Sequence, residues 1–199
     1  MIVLKWMAVV VIGYLLGNIE WGLIISRVLK TDIRQHGSGN TGATNLTRTL
    51  GALPGLLTLI GDVSKGIAAT LIGMALLGRY GAMVGGICAV IGHNWPVFFK
   101  FKGGKGVAAT LGSALIVQPL VTAPAALVGI VLIAVTRYVS LSVLIAVSLF
   151  VVLALILFFG DWALFAYVCV LSAMIFYVHR GNIERLRQRR ENKLTFGRR

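Results

Sequence analysis

Charged residues divide this chain into long apolar runs. No Asp, Glu, Lys or Arg falls within 6–19, 21–26, 80–99, 106–136, 138–160 or 162–179. Several of these runs reach the roughly 20 residues that a helix needs to cross a hydrocarbon core of about 30 Å. The first starts at Trp6, carries Glu20 inside it and lacks a small-residue cleavage site, so it reads as a retained span and not a signal peptide. The run 106–136 would make a helix of about 46 Å at 1.5 Å per residue, too long for one crossing. Pro119 and Pro124 near its middle invite a break, and two short spans or a re-entrant pair are expected there.

The stretch "GDVSKGIAATLIG" at 61–73 interrupts the pattern. A helix from Pro54 to Gly78 would put Lys65 near the midplane, where charge is costly. "KGIAATL" at 65–71, however, repeats as "KGVAATL" at 105–111, where the lysine stands at a span entrance. Equivalent roles would start the second helix near Asp62, an acceptable N-cap, and leave 49–60 as an interfacial or re-entrant connection. A chance match within an Ala/Gly/Thr-rich helix is the alternative.

Composition supports the membrane reading: of 199 residues, 58% are hydrophobic and only 13% charged, with a mean hydropathy of +0.90, unlike a soluble α/β domain. Nineteen Lys and Arg stand against six Asp and Glu, a net charge of +13, and their placement fixes an orientation. With 30–48 cytoplasmic, the inside holds Arg27, Lys30, Arg34, Arg48, Lys100, Lys102, Lys105, Arg137 and the basic residues from Arg180 to Arg199, while Lys5 and Arg79 lie outside. Treating 106–136 as one span would turn the basic tail outward. The expected fold is therefore an all-α integral membrane protein of seven transmembrane helices, amino terminus outside and carboxyl terminus cytoplasmic. It forms one domain over 1–199, with cytoplasmic motif loops near 30–52 and 98–106 and a basic cytoplasmic tail at 180–199. That tail reads as a topological anchor and a contact for anionic membrane lipids; no recognition fold for nucleic acid surrounds it. Trp6, Trp21, Trp95 and Trp162 fall near expected span ends, as an aromatic belt requires. Cys88 and Cys169 lie inside spans, with neither metal-ligand spacing nor a disulfide framework.

This topology gathers three polar segments on one face. "HGSGNTGATNLTRTLG" at 36–51 holds G-x-G-x-x-G at Gly37, Gly39 and Gly42, the dinucleotide-binding spacing. It follows an apolar helix and not a strand, so that reading fails on context. The anion chemistry survives: glycines let backbone N–H groups approach closely, Ser38, Asn40, Thr41 and Asn45 add short polar side chains, and Arg48 offers a bidentate phosphate contact. A flexible loop is the bland alternative. In "FKGGKG", Gly103, Gly104 and Gly106 suit a backbone nest with Lys105 at a helix start. Lys105 is followed by glycine and not Ser or Thr, so it is no Walker A loop. His179 and Asn182, three apart in "HRGNIERLRQRRENK", share a face if the helix continues, which makes His179 a candidate donor or general base. His93 reads as structural and His36 as a cap of its loop.

Three motifs in this order, G-S-G-N-T-G-A-T-N-L-x-R at 37–48, G-H-N-W-P-V-F-F-K-F-K-G-G-K-G-V-A at 92–108 and H-x-x-N-I-x-R-L at 179–186 with Glu191 beyond, resemble the bacterial acyl-phosphate:glycerol-3-phosphate acyltransferases, the PlsY family. The resemblance implies a seven-span enzyme of the bacterial inner membrane that moves a fatty acyl group from acyl phosphate to the 1-hydroxyl of sn-glycerol 3-phosphate. The products are lysophosphatidic acid and phosphate, and the active site faces the cytoplasm. It implies that Ser38 and Arg48 are required, that Gly103, Gly104 and Gly106 serve acyl-phosphate binding, that His179 and Asn182 act with them, and that Glu191 is structural. Gly39, Asn40, Thr41, Gly42 and Asn45 complete the expected substrate contacts; no cofactor, no metal and a monomeric chain are expected. The chain departs from the family at Arg189, where glycine is usual, which bears on local backbone geometry. The H-x4-D signature of soluble-type acyltransferases is absent, Glu184 standing in the aspartate's place.

The residues and the resemblance agree in their physics. Both substrates carry phosphate, and two glycine-rich basic loops are available. An acyl phosphate is an activated mixed anhydride, so positioning and charge neutralisation supply much of the acceleration. Direct transfer is expected, with Lys105, Arg48 and backbone N–H groups holding the phosphates and either His179 or the acceptor's own phosphate taking the proton. An acyl-Ser38 intermediate competes, but no Ser-His-acid spacing recommends it. A small organic-phosphate transporter is the other class considered; it calls for polar residues across the membrane, whereas a late run such as 143–159 is uncharged and apolar but for Ser148.

Overall fold

The computed structural model describes residues 1–194, which are helical with no β-strand among them. Nine α-helices follow in chain order: α1 (Ile2–Gly17), α2 (Trp21–Val28), α3 (Ala43–Leu50), α4 (Ala52–Asn94), α5 (Val107–Val117), α6 (Pro119–Thr136), α7 (Val139–Leu157), α8 (Trp162–Val178) and α9 (Arg180–Arg187). They form two compact units, one over residues 1–117 and one over 118–194. Ile2–Val28, Ala52–Phe99, Pro119–Thr136 and Val139–Leu157 are long and apolar enough to cross a membrane; Trp162–Val178 with α9, bent by 59°, would make a fifth such stretch.

In the first unit the opening apolar run is two helices. The chain breaks after Gly17, and Glu20 stands at the N-cap of α2. Helix α4 has 43 residues, about 64 Å if straight, and it reverses at Leu77 (φ −141°, ψ 18°) and Gly78 (φ 63°, ψ −149°). Its arms, 52–76 and 79–94, lie side by side: Gly81 faces Gly73, and Gly85 faces Ala69. Small residues permit this approach; a Cβ on Gly73 would run into the carbonyl of Gly81. Helix α1 seats Gly13 against Gly85 and Gly17 against Ala89 by the same means.

The expected helix start near Asp62 is overturned. Helix α4 is continuous from Ala52, so 52–60 is neither loop nor re-entrant turn, and Asp62 and Lys65 are buried in the helix interior. The early turns have partners of their own: Gly55 lies against Ala43 and Thr47 of α3, and Gly61 against the Trp21 ring. The two lysine-glycine echoes are not equivalent either, since Lys65 is mid-helix while Lys105 precedes α5. They pack on each other instead: Gly66 rests on Ala109, Gly112 on Val63, and Thr70 Oγ1 donates to Ser113 Oγ at 2.7 Å. The break expected in 106–136 falls at Gln118 (φ −153°, ψ 82°). Pro119 opens α6, where its missing N–H costs nothing, while Pro124 stays inside the helix.

In the second unit, α6 turns into α7 through Arg137 in the left-handed region (φ 60°), with Gly129 against Ala146. Asp161 caps α8 by accepting from Leu164 N at 3.1 Å. The chain after α9 returns to this hairpin, where Leu194 N donates to the Arg137 carbonyl at 2.7 Å.

Candidate active site

The first loop is organised by Asn45. Its Oδ1 accepts from Ser38 N at 2.9 Å, and its Nδ2 reaches the carbonyls of His36 (3.0 Å), Asn40 (2.9 Å) and, at 3.4 Å, Ile33. Gly37 (φ 60°) passes so close that a Cβ would strike Asn45 Oδ1. Asn40 Oδ1 takes the Gly42 N–H at 2.9 Å, so Gly42 opens α3, the helix that carries Arg48. Gly39 N bonds back to the His36 carbonyl at 3.0 Å. Thr41 is buried and donates from Oγ1 to Glu20 Oε2 at 2.7 Å. The side chains of Asn40, Thr41 and Asn45, expected to face substrate, thus serve the loop itself, whereas Ser38 is exposed and Arg48 half-buried. Beneath the loop, Leu23, Ile33 and Leu46 form a buried core against which Phe99 of the second loop packs.

Behind Thr41 lies a set of four buried ionisable groups: Glu20, Asp62, Lys65 and His93, none more than 3% exposed. Lys65 Nζ donates to the carbonyls of Gly17 (2.9 Å) and Ile19 (2.7 Å), which the break after α1 leaves open, and lies 2.6 Å from His93 Nδ1. An ammonium has no lone pair, so Nδ1 accepts. Asp62 Oδ1 stands 3.0 Å and Glu20 Oε1 3.7 Å from the ammonium, and each lacks a hydrogen bond.

The second loop folds over the end of α4. Gly104 N donates to the His93 carbonyl (3.0 Å) and Gly103 N to that of Asn94 (3.3 Å). The nest expected at these two glycines is therefore a helix-ending turn: their N–H groups are spent on α4, and the missing side chains give clearance. A Cβ on Gly104 would collide with the His93 ring, and one on Gly103 with the His93 carbonyl. Gly106 has φ 71°, and Lys105 is half-buried beside it. In front, Arg27, Arg34, Phe98, Phe99, Lys100 and Lys102 line an open cleft. The Arg27 guanidinium lies 5.8 Å from the centre of the Phe99 ring. Asp32 pairs with Arg34 at 3.0 Å; the side-chain and backbone hydrogen bonds from Arg34 hold its carboxyl down to about 2. His36 Nδ1 donates to the Asp32 carbonyl at 3.0 Å, a local cap as expected.

In the second unit, His179 and Asn182 are both buried at the α8–α9 bend. A carbonyl has no proton to give, so the 2.8 Å contact from His179 Nδ1 to the Ile175 carbonyl places N–H on Nδ1. Glu191 accepts from Asn182 Nδ2 (2.7 Å), Ser140 Oγ (2.9 Å) and Arg185 Nε (2.8 Å). Burial alone would raise its carboxyl, but these three donors outweigh it and the pKa is lowered. Arg189 takes φ 57°, the left-handed turn for which glycine is suited.

The model of the glycerol-3-phosphate acyltransferase family matches residues 7–189. The chain belongs to that family. A glycerol-3-phosphate acyltransferase of Alkaliphilus metalliredigens is 42% identical over 187 residues, 94% of each chain, and that of Halalkalibacterium halodurans 41% identical over 198 residues, 96% of each. Among solved structures, PlsY (YgiH), an integral membrane glycerol 3-phosphate acyltransferase, in its glycerol 3-phosphate form superposes with a TM-score of 0.89 at 38% identity, covering 96% of each chain. Its lysophosphatidic acid form gives 0.87 at 37%, covering 94% of each. In this glycerol-3-phosphate acyltransferase family member, sequence reasoning missed the partnership of Glu20 with Thr41 and of Lys65 with His93. The available signal is ionisable residues embedded in apolar runs; the echo of 65–71 in 105–111 points instead to a helix entrance at Lys65, with a chance match as the alternative.

Proposed function

We propose that the chain transfers a fatty acyl group from acyl phosphate to the 1-hydroxyl of sn-glycerol 3-phosphate, as a monomer in the bacterial inner membrane with its active site facing the cytoplasm. The observation that carries this reading is the match over nearly the whole chain to an enzyme solved in both a glycerol 3-phosphate and a lysophosphatidic acid form. Seven spans follow if α1, the two arms of α4, α5, α6, α7 and α8 each cross. The amino terminus is then outside, and the basic loops and tail lie on the cytoplasmic side.

Transfer is direct in this reading. The acceptor hydroxyl attacks the acyl carbonyl and phosphate departs, with no cofactor. Ser38, presented by the Asn45-organised loop, and Arg48 on α3 address one phosphate; Lys105, on the loop shaped by Gly103, Gly104 and Gly106, addresses the other. Arg48 suits a bidentate contact and Lys105 a point charge. Nε2 of His179, oriented through Nδ1, or the acceptor's own phosphate removes the proton, and Asn182 fixes the bend that carries the histidine. Purified protein in detergent should release phosphate from palmitoyl phosphate only when glycerol 3-phosphate is added. Folded protein without that dependence refutes the reading, and a radiolabelled acyl-enzyme trapped without acceptor refutes direct transfer.

A further inference from the structure

The buried set of Glu20, Asp62, Lys65 and His93 touches both glycine-rich loops. Glu20 reaches the first through the 2.7 Å hydrogen bond from Thr41. His93 reaches the second through its carbonyl, 3.0 Å from Gly104 N, and through its ring, against which Gly104 packs without room for a Cβ. Lys65 stands between them. Its three donors go to the Gly17 carbonyl, the Ile19 carbonyl and His93 Nδ1, so the ammonium is locked and the imidazole plane with it. Helix packing alone does not call for these groups. Glycines at 13, 17, 85 and 92 already bring α1 against α4, and apolar residues of similar volume generally hold helices together as well as buried ions do. What the polar set adds is direction: hydrogen bonds fix distance and angle where apolar contacts do not.

We propose that Glu20, Lys65 and His93 are positioning residues, a buried strut that sets the first glycine-rich loop through Thr41 and the second through Gly104 for acyl transfer. Thr41 lies between Asn40 and Gly42, which open α3, so displacement at Glu20 is transmitted to the helix bearing Arg48. The inference rests on the reading that these loops bind the two phosphate-bearing substrates.

The test compares Thr41→Val, which keeps shape and removes the hydroxyl, with Thr41→Ser, which keeps the hydroxyl and removes a methyl group. Both are assayed in the purified full chain by glycerol 3-phosphate-dependent phosphate release from palmitoyl phosphate, with thermal unfolding measured alongside. A hydrogen bond to a charged group predicts that Val loses roughly tenfold or more in kcat/KM while Ser stays within about threefold, each assayed well below its own unfolding transition. A packing role predicts the opposite order, and that order would overturn the strut. If Thr41→Val does not fold, Glu20→Gln takes its place, expected to lose at least about threefold; unchanged activity there is equally fatal. In the double variant the loss should not exceed that of the worse single one, because both cut one link; additive losses would sever Thr41 from Glu20. Wild-type protein without acceptor-dependent release would defeat the functional reading itself, whereas an active wild type matched by Thr41→Val defeats only the strut.

Discussion

Lys65→Met is the sharpest perturbation of the first unit. Methionine fills much of the lysine's volume and is indifferent to an apolar helix, so packing changes little while one charge disappears. Three acceptors then lose their donor: the carbonyls of Gly17 and Ile19 and Nδ1 of His93. Two carboxylates, Asp62 at 3.0 Å and Glu20 at 3.7 Å, lose their counter-charge in a place where neither is more than 3% exposed. Removing one partner of a buried ion pair costs about 3–5 kcal/mol, which for a chain of this length corresponds to a fall of about 6–20 °C in Tm. The measurement is thermal unfolding of purified protein in one detergent, wild type against variant. Adding Glu20→Gln and Asp62→Asn to Lys65→Met removes the stranded charges and should recover part of the loss. A Lys65→Met protein melting within about 2 °C of wild type would refute the claim that the ammonium is the counter-charge of this cluster.

Other outcomes follow from the same geometry. Gly66→Val places side-chain atoms in the backbone of Ala109 and should abolish monodisperse folded protein on size exclusion; at Gly78 nothing lies within 4 Å of a Cβ, but φ 63° with ψ −149° is backbone essentially reserved for glycine, so Gly78→Ala should lower Tm through backbone strain alone. Glu191 has a lowered folded pKa, so its contribution is complete above the ordinary carboxylate value of about 4.3 and is lost as pH falls through the folded value. The Tm gap between wild type and Glu191→Gln should therefore be widest near neutrality and close on acidification, and a gap independent of pH would contradict the assignment. His179→Ala should lower kcat by about 10²–10⁴ and remove the acidic limb of the pH-rate profile if Nε2 takes the acceptor's proton; an intact limb assigns that role to the acceptor's phosphate.

Local chemistry was legible where local rules decide. The absence of a strand before Gly37 disposed of a nucleotide loop, and Pro119 announced the break that falls at Gln118. Arg189, where the family resemblance leads one to expect glycine, sits in a left-handed turn (φ 57°) of the kind that glycine suits. What stayed hidden depends on pairing across the chain. Nothing near Thr41 reveals that its hydroxyl is committed to Glu20, or that Asn45 spends its amide on three carbonyls of its own loop. Lys65 misled for a physical reason: a charge in an apolar run looks like a helix end until its acceptors are known. Those acceptors are the carbonyls freed by the break after Gly17, visible only once α1 and α4 are side by side. Gly103 and Gly104 misled similarly, because glycines that cradle an anion and glycines that clear a histidine ring look alike in one dimension.

The dependence of Lys65 on the carbonyls of Gly17 and Ile19 also constrains how the protein is made. A helix bearing Asp62 and Lys65 enters lipid poorly alone, each charge costing about 2.5–3.5 kcal/mol near the centre of an inserted helix. The nearest carboxylate, Asp62, arrives with this arm, but Glu20 and the carbonyls of Gly17 and Ile19 belong to the segment synthesised before it, so part of what offsets the charge is already made when the first arm of α4 arrives. If the first arm of α4 crosses the membrane as proposed, a chain whose segment 17–20 is exchanged for unrelated sequence should therefore insert that arm less completely during biogenesis, before any question of catalysis arises.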